Sequence, residues 1–169
     1  MDNLFNLLLL VLFGIVSVLA FFAALTLLLP APIEKTRQML EANGGRALLL
    51  GLVNFIFFGM IVLLCLWLAE KVGGVVAGIF ILIGGLVTLA LAALAIIGLV
   101  ALAQLLGTRM GSETTPFLTT LRGGGVLLLA GLAPYVGWFL FAPLAVWAGL
   151  GAAIQSVISR RKTPLPAEP

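Results

Sequence analysis

The sequence predicts an all-α protein that crosses a membrane several times, with about five membrane helices in one domain. Charge is nearly absent: 169 residues contain nine Lys/Arg, six Asp/Glu and no His. Hydrophobic residues make up 63% of the chain, and its mean hydropathy is +1.29. Nearly every charge falls in a short cluster between long apolar runs, a composition typical of polytopic membrane proteins.

The first apolar run covers residues 4–29. At 1.5 Å per residue it would be about 39 Å long as a helix, enough to cross a membrane with some tilt. No Lys or Arg precedes it, so we expect a retained helix rather than a cleaved signal peptide. Pro30 and Pro32 end the run.

Residues 30–46 form the largest polar segment and are predicted to be an interfacial amphipathic linker. In a short helix, Ile33, Met39 and Leu40 can share one side, while Arg37 and Glu41 are spaced i, i+4. The linker either lies on the lipid headgroups or serves as a docking site.

Two more apolar runs follow, residues 47–69 and 75–106, separated by Gly73-Gly74, which permit a tight turn. The second of them is longer than a straight crossing requires, so it must tilt, kink or extend past the hydrocarbon, with Gly84-Gly85 and Gly98 as candidate weak points. A polar loop is predicted over residues 107–125. Residues 160–169, Pro-rich beyond their basic start, are predicted to be a disordered cytoplasmic tail after a membrane domain of residues 1–159.

The last apolar stretch, residues 126–159, allows two interpretations. It is either one long kinked helix, which gives four spans, or a terminal helical hairpin that turns at residues 134–137. A single crossing divides the nine basic residues five against four between the two sides, whereas a hairpin divides them eight against one. Short loops concentrate Lys and Arg on the cytoplasmic side, so the charges favour the hairpin. In that arrangement Lys71 is the exception, and the eight on the cytoplasmic side are Lys35, Arg37, Arg46, Arg109, Arg122, Arg160, Arg161 and Lys162.

Small residues at helical spacing are candidate packing faces, because they let helix backbones approach closely in lipid. One pair is Gly74 and Gly78, and a longer stripe comprises Ala145, Gly149 and Ala153. Each face could contact a partner subunit or pack against the chain's own helices.

Chemistry-bearing side chains are few. Without His there is no histidine-ligated metal or histidine base, and the single Cys65 excludes an all-cysteine metal site. We therefore expect no enzyme activity, cofactor or metal. Asn54 is a candidate buried polar contact, either to a ligand or to a neighbouring helix or backbone carbonyl. Since the basic residues flank membrane segments, membrane lipids rather than nucleic acid are the expected partners.

Two passages, LPAPIEKTRQMLEANGGRALLLG at residues 29–51 and LAPYVGWFLFAPLAVWAGLGAAI at residues 132–154, carry a resemblance. Together they resemble the hydrophobic membrane domain attached to some bacterial polymer-forming (bactofilin-like) proteins. The resemblance implies a basic approach helix, a turn at residues 134–138 and a bacterial plasma-membrane location. It carries over no catalytic residues.

These observations predict a non-catalytic membrane protein with its N-terminus outside and its C-terminus in the cytoplasm. The first functional hypothesis is a structural or accessory subunit that packs against other subunits of a membrane complex, or against itself. The alternative is a small channel, transporter or lipid-handling protein, which would need a polar path or cavity near Asn54, Thr88 or Gln104.

Overall fold

The computed structural model describes residues 2–111 and 115–159, and every element in those ranges is helical. A π-helical turn, Gly137–Phe141, leads directly into the last helix. The helices are α1 (Asp2–Leu28), α2 (Pro30–Val72), α3 (Gly74–Met110), α4 (Pro116–Leu132) and α5 (Ala142–Ser159). The predicted all-α class is therefore confirmed.

Within those ranges, four helical segments are long and apolar enough to cross a membrane: Asn3–Leu28, Pro30–Val72, Gly74–Met110 and Gly137–Ser159. They make the chain a multi-pass membrane protein. The fifth helix, α4, is also apolar but has only 17 residues. Its length of about 26 Å is less than the roughly 30 Å of a hydrocarbon core.

Proline and glycine set the helix boundaries. Leu29 leaves the helical conformation (φ −128°, ψ 52°) directly before Pro30, which starts α2 because a first helical residue needs no N–H donor. Gly73 and Gly74 both have positive φ values, 66° and 62°, and make the tight turn between α2 and α3.

The last apolar stretch is two helices joined by a turn, not one kinked helix. Ala133 is extended before Pro134, Tyr135 has φ 64°, and the Gly137 N–H donates to the Ala133 carbonyl at 3.0 Å. Pro143 has no N–H for an α-helical bond, which accounts for the wider π-helical turn just before it. From this turn α4 packs on α3 and α1, whereas α5 packs on α2 and α3.

The predicted polar loop at residues 107–125 is wrong. Helix α3 continues to Met110, and α4 already begins at Pro116, after the extended Thr115. The glycines at 123–125 are helical, and Gly123 lets α4 pack closely on α3: a Cβ added there would collide with the Ala103 carbonyl. Packing thus favours a helical conformation in a segment whose composition indicates a loop.

The predicted separate linker at residues 30–46 is instead the first part of α2. The helix departs from helical geometry at Asn43 (φ −145°, ψ 48°), near the end of the predicted linker. Ile33 and Thr36 are fully buried, so this part packs into the bundle. Arg37 pairs with Glu34 rather than with Glu41. The predicted disordered tail at residues 160–169 lies outside the described residues.

Helix α3 contacts α2, α4 and α5 and supplies more residues to the core than any other helix. It stays helical from Gly74 to Met110, so Gly84 and Gly98 do not break it; they face Cys65 and Gly149 respectively. The largest cluster of buried apolar side chains comprises Phe22, Ile33, Leu40, Ala47, Val100, Ala101, Ala103, Leu105, Leu127 and Ala152.

Candidate functional site

The predicted stripe of small residues on α5 lies inside the bundle. Ala145, Gly149 and Ala153 are all buried. A Cβ added at Gly149 would approach the Gly98 backbone to 2.8 Å, closer than Cβ atoms come to other atoms. This stripe therefore packs against the chain's own helices in the structure.

The other predicted pair, on α3, faces open space. No other part of the described chain lies within 4 Å of the positions that a Cβ would occupy at Gly74 and Gly78. Gly85 is open in the same way. At 100° per residue these three glycines fall within about 40° of one another around the helix, so they share one face.

Asn54 lines a cavity of about 330 Å³ between α2, α3 and α5, whose other lining residues are apolar. Its Nδ2 donates to the Leu50 carbonyl of its own helix at 2.8 Å. The hydroxyl of Thr88 likewise donates to the Gly84 carbonyl at 2.9 Å. Both polar groups are satisfied locally, and among the described cavities none contains both Asn54 and Gln104.

The most polar described cavity lies where four helix ends meet: the end of α1, the start of α2, the end of α3 and the start of α4. We call it the polar cleft. It has a volume of about 650 Å³ and is open on one side. Its lining residues are Thr26, Leu27, Pro30, Glu34, Gln104, Thr115, Pro116 and Phe117.

Glu34 brings a half-exposed carboxylate to the polar cleft, and most of its acceptor capacity is used. Its Oε1 accepts from Arg37 Nη2 at 2.7 Å and from Gln38 Nε2 at 3.1 Å. Its Oε2 accepts from Arg37 Nε at 3.0 Å. A carboxylate offers about four lone-pair sites, so Oε2 retains one for another donor.

Gln104 is the unusual residue of the polar cleft. It is only 6% exposed, and no described group hydrogen-bonds its side-chain amide. Since no fully enclosed side-chain polar atom in the described residues lacks a partner, the amide must reach the open space of the cleft. An amide that reaches the cleft without a protein partner is available to hydrogen-bond a ligand there.

Buried hydroxyl pairs join the helices around the polar cleft. Thr26 Oγ1 of α1 lies 3.1 Å from Thr120 Oγ1 of α4, and Thr36 Oγ1 of α2 donates to Ser156 Oγ of α5 at 3.2 Å. Each of these threonines has a single hydroxyl proton, which it shares between the facing hydroxyl and a carbonyl of its own helix. The pairs fix the positions of the four elements that they connect.

Sequence reasoning missed Thr120 and Glu34 at this end of the bundle. The sequence assigned Thr120 to a loop at residues 107–125, although Thr115-Pro116 is a usable helix-start signal, with a cap-type residue followed by proline at the first helical position. Glu34 falls in the predicted interfacial linker, where the sequence gives no reason to expect a cavity. Among the described residues, no group of three His, Cys, Asp or Glu side chains could hold a metal ion.

Comparisons with known proteins identify no matching family model, no matching curated protein and no matching solved structure. The function therefore rests on the geometry of this chain.

Proposed function

We propose that the chain is a non-catalytic membrane subunit that packs against other membrane helices, either of partner subunits or of a second copy. The observation that carries this proposal is the open glycine face of α3, formed by Gly74, Gly78 and Gly85. We call it the α3 glycine face.

The contrast with the chain's other glycines supports this role. At Gly51, Gly98, Gly123 and Gly151 an added Cβ would collide with the backbone of another helix, so these glycines serve close packing within the bundle. In lipid such close approach is a main source of helix association. The α3 glycine face offers the same geometry without an occupant from this chain.

The first half of α1 adds a second unpartnered surface. Leu4, Leu10 and Phe13 are each more than 70% exposed, while burial on α1 begins only near Phe22. A helix that leaves its own bundle in this way is well placed to meet a neighbouring helix. Lipid alone could also cover it, so the α3 glycine face remains the stronger argument.

The alternative of a channel or transporter has less support. Asn54 and Thr88 bond to their own helices, and the other residues that line the cavity at Asn54 are apolar. The polar cleft containing Gln104 is at one end of the bundle. A lipid-related role finds support there and is developed below.

The proposed location is the bacterial plasma membrane, which the resemblance to bactofilin-associated membrane domains supports. The proposed orientation places the N-terminus outside and the C-terminus in the cytoplasm. The charge distribution supports it, since it collects eight basic residues on one side. The Thr36–Ser156 hydrogen bond also supports it, because the end of α5 then lies beside the segment with Lys35 and Arg37.

The test is native gel electrophoresis of mild-detergent extracts from native membranes. We expect the wild-type chain in a particle larger than the monomer, and we expect Gly78→Leu combined with Gly85→Leu to release the monomer. Gly59→Leu, at an open glycine of α2, is the matched control and should leave the particle intact. A wild-type chain that migrates only as a monomer, or a control that dissociates equally, would contradict the proposal.

A further inference from the structure

The polar cleft continues into an apolar groove. The groove runs between α1 and α4, has a volume of about 470 Å³ and shares Leu27 and Phe117 with the polar cleft. We call it the α1–α4 groove. Its lining residues are Val16, Leu19, Ala20, Ala23, Ala24, Leu27, Phe117 and Leu121. The polar cleft and the α1–α4 groove together form one continuous cavity with a polar end and an apolar end, which matches the shape and polarity of a lipid.

We propose that the polar cleft and the α1–α4 groove together bind one glycerophospholipid with an ammonium-bearing headgroup. The headgroup occupies the polar cleft and one acyl chain lies in the groove. This inference does not depend on the proposed subunit role, because it requires no protein partner.

Gln104 and Glu34 determine the headgroup chemistry. The unpartnered Gln104 amide can donate from Nε2 to a phosphate or ester oxygen. The free acceptor site on Glu34 Oε2 suits an ammonium N–H. Among the described residues that line the cleft there is no Lys or Arg, and the nearby Arg37 guanidinium is already bonded to Glu34, so the cleft lining offers a purely anionic headgroup no cation of its own.

The groove has the length of one lipid leaflet. On α1 it extends from Val16 to Leu27, eleven residues or about 17 Å. Half of a 30 Å hydrocarbon core is about 15 Å. The small side chains of Ala20 and Ala24 form the groove on α1, and Phe117 and Leu121 bound it on α4. An acyl chain that starts at the polar cleft would therefore end near the bilayer midplane.

The experiment is native mass spectrometry of the delipidated full chain, titrated with phosphatidylethanolamine or with phosphatidylglycerol of identical acyl chains. We expect the wild type to bind phosphatidylethanolamine about tenfold more tightly, the discrimination expected for one charge-assisted hydrogen bond. Ala24→Trp fills the groove at an exposed position and should weaken binding of both lipids about tenfold or more. Val18→Trp, on the other side of α1, is the matched control and should bind as the wild type does.

Gln104→Leu tests the headgroup contact and should lower the affinity for phosphatidylethanolamine about fivefold. The proposal is overturned if the wild type does not distinguish the two lipids, or if Ala24→Trp binds them as the wild type does. Because Ala24 and Val18 are away from the α3 glycine face, native gels of the same variants report the subunit role separately.

Discussion

At the scale of single residues, glycine determines where the helices of this bundle cross. Gly51 and Gly151 bring α2 and α5 together, Gly98 and Gly149 bring α3 and α5 together, and Gly123 brings α4 onto α3. In each case the space for a Cβ is taken by the backbone of the facing helix, so a side chain would force the helices apart. Dispersion contacts and interhelical bonds hold helices together in lipid, and both weaken with distance.

Gly98→Ala should therefore destabilise the monomer by about 1–3 kcal/mol, the usual cost of overpacking. Gly85→Ala, on the same helix but open to its surroundings, should leave the free energy of unfolding unchanged or slightly raised, because Ala favours helix more than Gly does. SDS-induced unfolding in mixed micelles measures both. Equal stability of the two variants would show that the Gly98–Gly149 crossing is not a tight contact.

The buried hydroxyls also stabilise the bundle residue by residue, but each contributes less to the free energy of unfolding than a tight glycine contact does. Thr36 is fully buried and donates to Ser156, so Thr36→Val should cost about 0.5–1.5 kcal/mol of unfolding free energy. Thr88→Val is the control, since Thr88 is an exposed residue whose hydroxyl bonds only its own helix; its effect should stay within about 0.5 kcal/mol. A Thr36 variant as stable as the control would mean that the α2–α5 hydrogen bond contributes nothing.

At the scale of elements, the turn between α4 and α5 carries backbone strain. Tyr135 has φ 64°, a left-handed conformation that costs a non-glycine residue about 1–2 kcal/mol, and its side chain is 79% exposed. In detergent, Tyr135→Gly should thus raise the free energy of unfolding by up to about 1 kcal/mol. Val136→Gly, at an ordinary helical φ of −69°, should lower it by about 0.5–1 kcal/mol.

A clear loss of stability for Tyr135→Gly would contradict that expectation. It would mean that the aromatic ring is held in place despite its exposure, as in the interfacial aromatic belts of membrane proteins.

The elements that sequence predicted well are those bounded by local chemistry. Pro30, Gly73-Gly74 and Pro134 mark real boundaries, because each constrains the backbone on its own. The helical parts of residues 107–125 could not be predicted from such local signals. Gly123 lies against α3 and Thr120 against α1, and such contacts between helices leave no periodic signal in one sequence. For the same reason the sequence identifies Gln104 as a polar residue of an apolar run but does not predict the cleft that it lines.

At the scale of the whole molecule, packing is uneven along the helices. The buried core gathers where α1 ends, α2 begins and α3 ends, while the far parts of α1, α2 and α3 expose most of their apolar side chains. The polar cleft, the hydroxyl pairs and the helix ends with Lys35, Arg37 and Arg109 lie at the packed end. The open glycine face starts at the far end. The two proposed sites are therefore separated along the bundle.

We predict the orientation from that polarity: the packed end carries all the described Lys and Arg residues except Lys71 and should face the cytoplasm. In a Cys65→Ala background, Asp2→Cys should react only with an impermeant maleimide added outside, and Leu165→Cys only after the membrane is permeabilised. Gly45→Cys should behave like position 165, and Val72→Cys like position 2. Labelling of positions 2 and 165 from the same side would contradict the proposed topology, because the last stretch would then cross once and the basic residues would divide five against four.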